Sequence, residues 1–66
     1  MQLENDELIE AKRQIDSTLH KLRKTIQTLE AKENTGRYKS QITLARRRTR
    51  AFEIACSLIE RELDNL

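Results

Sequence analysis

Proline and valine are absent from this 66-residue chain, glycine occurs once, and the aromatic side chains are Tyr38 and Phe52 alone. With helix breakers almost missing and valine and aromatic strand formers so scarce, the composition favours a nearly all-helical chain. Cysteine and histidine occur once each, at Cys56 and His20. A single cysteine excludes an intrachain disulfide, and one thiol with one imidazole falls short of the roughly four ligands of a closed metal site. Any apolar run near the roughly 18 residues of a membrane span is also missing. The opening stretch MQLENDELIE is acidic where a secretory leader is basic. The expectation is a cytoplasmic protein with its thiol reduced and buried, and with no cofactor, metal or membrane partner. A single domain of this size rarely gains more than about 3–5 kcal/mol of net stability from its own core. With disulfides and metals set aside, self-association is the remaining source of help.

What the chain has in quantity is charge, 36% of its residues, laid out around two apolar periodicities. In the C-terminal half Ile42, Ala45, Thr49, Phe52, Cys56, Ile59, Leu63 and Leu66 alternate by three and four. In the N-terminal half Leu8, Ile15, Leu22 and Leu29 recur by sevens, with Leu19 and Ile26 between them and Lys12 in the remaining slot. Each pattern is a coiled-coil seam, because 3.5 residues per repeat nearly matches the helical turn. Lys12 either fixes register as a polar seam residue or, on the plainer reading, runs its aliphatic stem outward to water.

Extended forward, the first seam falls on Glu33, Gly36 and Ser40, two residues out of phase with the second. Two residues are a rotation of about 200° on a helix, so one unbroken helix would turn its seams to opposite sides. A break is required, and Asn34, Thr35 and Gly36 supply it, since glycine, and asparagine next, tolerate the left-handed conformation that ends helices. The expected fold is all-α: one antiparallel two-helix hairpin over residues 1–66, with helices over about 3–33 and 40–65 and a turn over 34–39. Glu4, Asp6, Glu7 and Glu10 suit the positive end of the first helix. Asn5 caps that helix, or it starts nearer Gln2; Thr35 or Ser40 caps the second.

An antiparallel pair requires facing residues to share one total of residue numbers. Leu29 with Ile42, Ile26 with Ala45, Leu22 with Thr49, Leu19 with Phe52, Ile15 with Cys56, Lys12 with Ile59 and Leu8 with Leu63 all do. Large side chains also meet small ones, as interdigitated packing needs. A domain-swapped pair satisfies the same count. The second helix then has apolar surface to spare, because Leu44, Ala51, Ile54, Ala55 and Leu58 form an adjoining stripe. On the first helix Ala11, Thr18 and Thr25 recur by sevens beside the seam, small enough for another helix to come close. Both strips would be covered in a homodimer that packs two hairpins into a four-helix bundle, or by docking onto a larger protein partner.

Charge is segregated along the chain. Residues 12–50 hold twelve Lys and Arg against three acids, residues 1–11 hold four acids, and residues 51–66 hold four acids against Arg61. Folded as a hairpin, the turn end is basic and the open end acidic. Arg46, Arg47, Arg48 and Arg50 crowd the start of the second helix, where the helix dipole disfavours cations. Their answer is either acidic protein, with the open end of one hairpin lying against the turn end of another in an antiparallel dimer, or the phosphates of RNA or DNA, with help from Arg37 and Lys39. The first is favoured, because with Phe52 in the seam no aromatic platform is left for stacking bases.

The residues that carry chemistry elsewhere are isolated here. His20 follows Asp16 by four residues and reads as half of a surface pair, and adjacent Ser17 makes no triad because helix neighbours point in different directions. Cys56 lies mid-seam, where a thiol behaves as a small apolar group. Tyr38 is placed to lid the turn end of the core. Glu60 and Asp64 lack an apolar pocket to raise their pKa, there is no glycine-rich phosphate loop, and a hairpin offers little concavity for a small-molecule substrate. The chain reads as a self-associating interaction module and not as an enzyme.

Overall fold

The computed structural model describes residues 3–65. Within them the chain forms two helices, α1 over Asn5–Lys32 and α2 over Lys39–Asp64, packed along their length in a body of 49 × 18 × 15 Å. Both run within two residues of the boundaries the periodicity predicts. Among the described residues no helix is long and apolar enough to cross a membrane.

The core is the pair of seams. Leu8, Leu19, Ile26, Ala45 and Cys56 are buried. Ile15, Leu22, Leu29, Ile42, Thr49, Phe52, Ile59 and Leu63 are half-buried between them, while Leu66 lies outside the described residues. Thr49 is tolerated in this apolar row because its hydroxyl donates to the Ala45 carbonyl oxygen of its own helix at 2.8 Å. A layer only two helices thick encloses little. Leu19, the most deeply buried, still keeps 4% of its surface exposed.

Lys12 does more than reach for solvent. Half-buried in its seam slot, it sends its Nζ to Asp16 one turn on at 2.8 Å and to Glu60 of α2 at 3.5 Å. The second contact ties one helix to the other at one level, which is the register role of a polar seam residue.

The helix ends depart from the expected caps. Glu4, not Asn5, is the N-cap of α1, and its amide donates to Glu7 Oε1 at 3.4 Å, half of a reciprocal capping arrangement; Gln2 lies outside the described residues. At the other end neither Thr35 nor Ser40 caps α2. The N-cap is Tyr38, with no side-chain cap of its own, and the orphan amides of the turn are gathered instead by Glu33. Glu33 Oε1 accepts from the amides of Thr35 (3.2 Å) and Gly36, and Oε2 accepts from that of Tyr38 at 2.7 Å. Standing at the N-terminus of α2, this carboxylate also meets the positive end of the helix dipole. Gly36 adopts φ +84°, the left-handed conformation anticipated for it, but three residues beyond the C-cap Glu33. A Cβ there would meet nothing within 4 Å, so the need for glycine is one of backbone conformation and not of space.

Glu33 therefore does the work of the missing cap. Glu33→Ala should destabilise the hairpin by about 1–2 kcal/mol, the usual cost of a lost cap. Urea denaturation followed by circular dichroism at one fixed protein concentration measures it; a change within about 0.3 kcal/mol would mean that water serves the turn amides equally well.

Candidate interaction surfaces

The seams leave the hairpin with two long edges of different chemistry. Seven residues are two helical turns, so residues recurring by sevens beside a seam share an edge. One edge collects Asp16, Arg23 and Glu30 of α1 with Arg46, Glu53 and Glu60 of α2. The other collects Glu4, Ala11, Thr18, Thr25 and Lys32 of α1 with Gln41, Arg48, Ala55 and Glu62 of α2.

Charges close the first edge. Arg46 pairs with Glu30 at 2.8 Å and Arg23 with Glu53 at 3.1 Å, and Lys12 reaches Glu60 there as well. Each pair is open to solvent on at least one side and worth at most about 1 kcal/mol, but together they hold the helices to one register. Two shallow clefts lie beside the pairs. One, of about 400 Å³, is lined by Arg23, Ile26, Gln27, Arg46, Thr49 and Glu53, and the other by Ile9, Lys12, Arg13, Asp16 and Leu63.

Half of the arginine cluster is thus answered within the chain. Besides Arg46, Arg50 lies 3.8 Å from Glu53. Arg47 and Arg48 are exposed and form no ion pair among the described residues, as is also true of Lys39 and of Arg37, whose guanidinium stands 5.6 Å from the centre of the Tyr38 ring. That ring is half-buried at the turn.

The second edge has no ion pair crossing it among the described residues. Ala11 and Ala55 are half-buried, and Thr18 and Thr25 are exposed. Both threonine hydroxyls donate to backbone carbonyls of their own helix, Thr18 to Gln14 at 3.1 Å and Thr25 to Lys21 at 3.0 Å. With the hydroxyls committed, the threonines can be covered without stranding a donor. Leu44, Ala51 and Leu58 precede Arg48, Ala55 and Glu62 by one helical turn and border this edge. Leu44, Ile54 and Leu58 expose 48%, 46% and 55% of their surface, and Ala51 is exposed too. Leu3 and Ile9 are further exposed apolar side chains, and neither belongs to any seam or stripe in the sequence.

The reactive groups sit in one small network. Asp16 does not pair with His20: its Oδ2 takes the Lys12 ammonium, and its Oδ1 accepts from the Cys56 thiol at 3.4 Å. The Lys12 hydrogen bond, followed by that from Cys56, holds the Asp16 carboxyl below its ordinary value, and the bond to Asp16 raises Lys12. Burial, then the bond to Asp16, pushes the Cys56 thiol up, which disfavours the reactive thiolate. Among the described residues no three His, Cys, Asp or Glu side chains gather where they could hold a metal ion. Comparisons with protein-family models, curated proteins and solved structures find no match to this chain, so the surfaces must speak for themselves.

The charged edge was within reach of the sequence. Arg23 with Glu53 and Glu30 with Arg46 share one total of residue numbers, different from that of the core layers, so a constant total applied to the residues flanking the seams is consistent with these bridges. The Asp16–Cys56 contact carries no such signal, because it depends on a carboxylate beside the seam turning back toward it.

The network predicts a pH response with a definite sign. A lowered Asp16 pKa contributes stability that stands in full above its ordinary 3.8 and is lost as pH falls through the folded-state value. Asp16→Asn should therefore lower the thermal midpoint at neutral pH, and the gap from the native chain should close as the solution is acidified below that range. A gap that stays constant down to pH 2 would show that Asp16 does not contribute through its charge.

Proposed function

We propose that this chain is a small self-associating helical-hairpin interaction module. It forms a homodimer by packing two hairpins into a four-helix bundle, and its product is a protein surface, not a reaction. The observation that carries this reading is the exposure of Leu44, Ile54 and Leu58 on α2 in a hairpin whose core encloses no side chain completely among the described residues. Three large aliphatic groups within four turns of one helix are costly to leave in water, at about 25 cal/mol for each Å² of apolar surface, and a second layer of helices removes them from it. On this reading the protein works in the cytoplasm, where Cys56 stays reduced, and needs no cofactor. Sedimentation equilibrium over nanomolar to high-micromolar concentration tests it. The expected outcome is a monomer–dimer equilibrium; a stable, fully helical monomer throughout would overturn the reading.

A second reading, binding of RNA or DNA, is favoured by one observation: Arg37, Lys39, Arg47 and Arg48 stand exposed toward the turn end, free of ion pairs among the described residues. Phosphate-driven binding must weaken steeply with salt. Titration with duplex and hairpin oligonucleotides at two salt concentrations should then give an affinity that falls by at least about tenfold from 50 to 200 mM salt, and no binding at low salt would remove this reading.

A further inference from the structure

The two edges are unequal in a way that selects one docking geometry for a second copy. The charged edge has spent its charges within the hairpin, in the Arg46–Glu30, Arg23–Glu53 and Lys12–Glu60 pairs. On the other edge the charged residues Glu4, Lys32, Arg48 and Glu62 are exposed and form no ion pair among the described residues.

Their placement is symmetric about the middle of the hairpin. Arg48 lies seven residues before Ala55 and Glu62 seven after it. Glu4 lies fourteen residues before Thr18 and Lys32 fourteen after it. Thr18 and Ala55 stand at one level, between the Leu19/Phe52 and Ile15/Cys56 layers, so both sets share one centre. Small residues occupy that centre: Ala11, Thr18 and Thr25 on α1, Ala55 on α2.

The geometry points to an antiparallel dimer across this edge, with a two-fold axis passing at the level of Thr18 and Ala55 perpendicular to the long axis. α1 lies on α1 of the second copy and α2 on α2. Arg48 of each copy then meets Glu62 of the other, and Lys32 meets Glu4. Leu44 and Leu58 lie along the α2 border of the contact. A strip 49 Å long and 15 Å wide is on the order of 700 Å² per partner, close to the roughly 800 Å² that each side of a standard interface buries. A parallel dimer on the same edge would bring the two basic ends together and the two acidic ends together, with repulsion at both. The inference rests on the self-association proposed above and adds to it the face, the orientation and the pairing.

Charge reversal tests it. Arg48→Glu and Glu62→Arg should each raise the dimer dissociation constant by about tenfold or more, because two attractive contacts per dimer become repulsive. The double variant Arg48→Glu/Glu62→Arg should return close to the native value. Within one chain these residues are fourteen positions apart on a helix, about 21 Å, so the rescue must come from contact between copies. An equimolar mixture of the two single variants should form heterodimers with near-native affinity, since each repulsive pair is matched there. Circular dichroism on each variant separates lost association from lost folding. Single reversals that leave the dissociation constant unchanged, or a double variant no better than the singles, would overturn this arrangement while the self-association reading stood. A native chain that stays monomeric at all concentrations would overturn both.

Discussion

Everything in this molecule depends on the contact between two seams of opposite direction. A helix that buries its apolar residues every three and four positions needs a partner with the same period, and the chain contains that partner on the far side of its one glycine. Because the seams are two residues out of phase, neither can be satisfied by a continuous helix, and the break at the turn follows from that mismatch. Glu33 then does at the break what the expected cap of α2 would otherwise do. It ends α1, and its carboxylate accepts from the amides of Thr35, Gly36 and Tyr38 at the start of α2. A residue in phase with the first seam has thereby become the clasp of the turn.

The same contact divides the surface. Once two helices lie antiparallel, each has one flank on either side of the seam, and the flanks meet pairwise. On one side the charges are complementary and reach each other, so the hairpin locks its register with exposed ion pairs that add little stability each. On the other side the residues are small at the centre and charged at the ends, with the aliphatic side chains of Leu44 and Leu58 along the border. The physical contrast is between an edge whose electrostatics are complete within the chain and one where they are left over. That contrast bears on function more than net charge does, because the formal charge of +2 conceals a strongly basic middle and two acidic ends.

Cys56, Asp16 and Lys12 show how much of the local chemistry is structural. The thiol is buried and donates to a carboxylate, which holds it protonated, and the carboxylate is held ionised by the ammonium that bridges to Glu60. The network joins a core layer to the charged edge and stabilises the register from within the seam. His20, which sequence spacing pairs with Asp16, is left out because the carboxylate turns toward the seam and not along the outer face of α1.

Helix content, the position of the break and the pairing of the core layers were determined by the sequence itself, because each follows from periodicity, a property of one helix counted along one line. Leu8 to Leu29 against Ile42 to Leu63 could be paired by arithmetic, and the helix ends fell within two residues of the expected boundaries. Caps and surface partners were decided only in three dimensions. Glu33 displacing Thr35 and Ser40, Asp16 choosing Lys12 and Cys56 over His20, and Arg46 and Arg50 finding Glu30 and Glu53 all depend on where a flexible side chain reaches once a second helix stands beside it. Position along the chain sets which edge a residue occupies; only the packed pair sets which atoms on that edge meet.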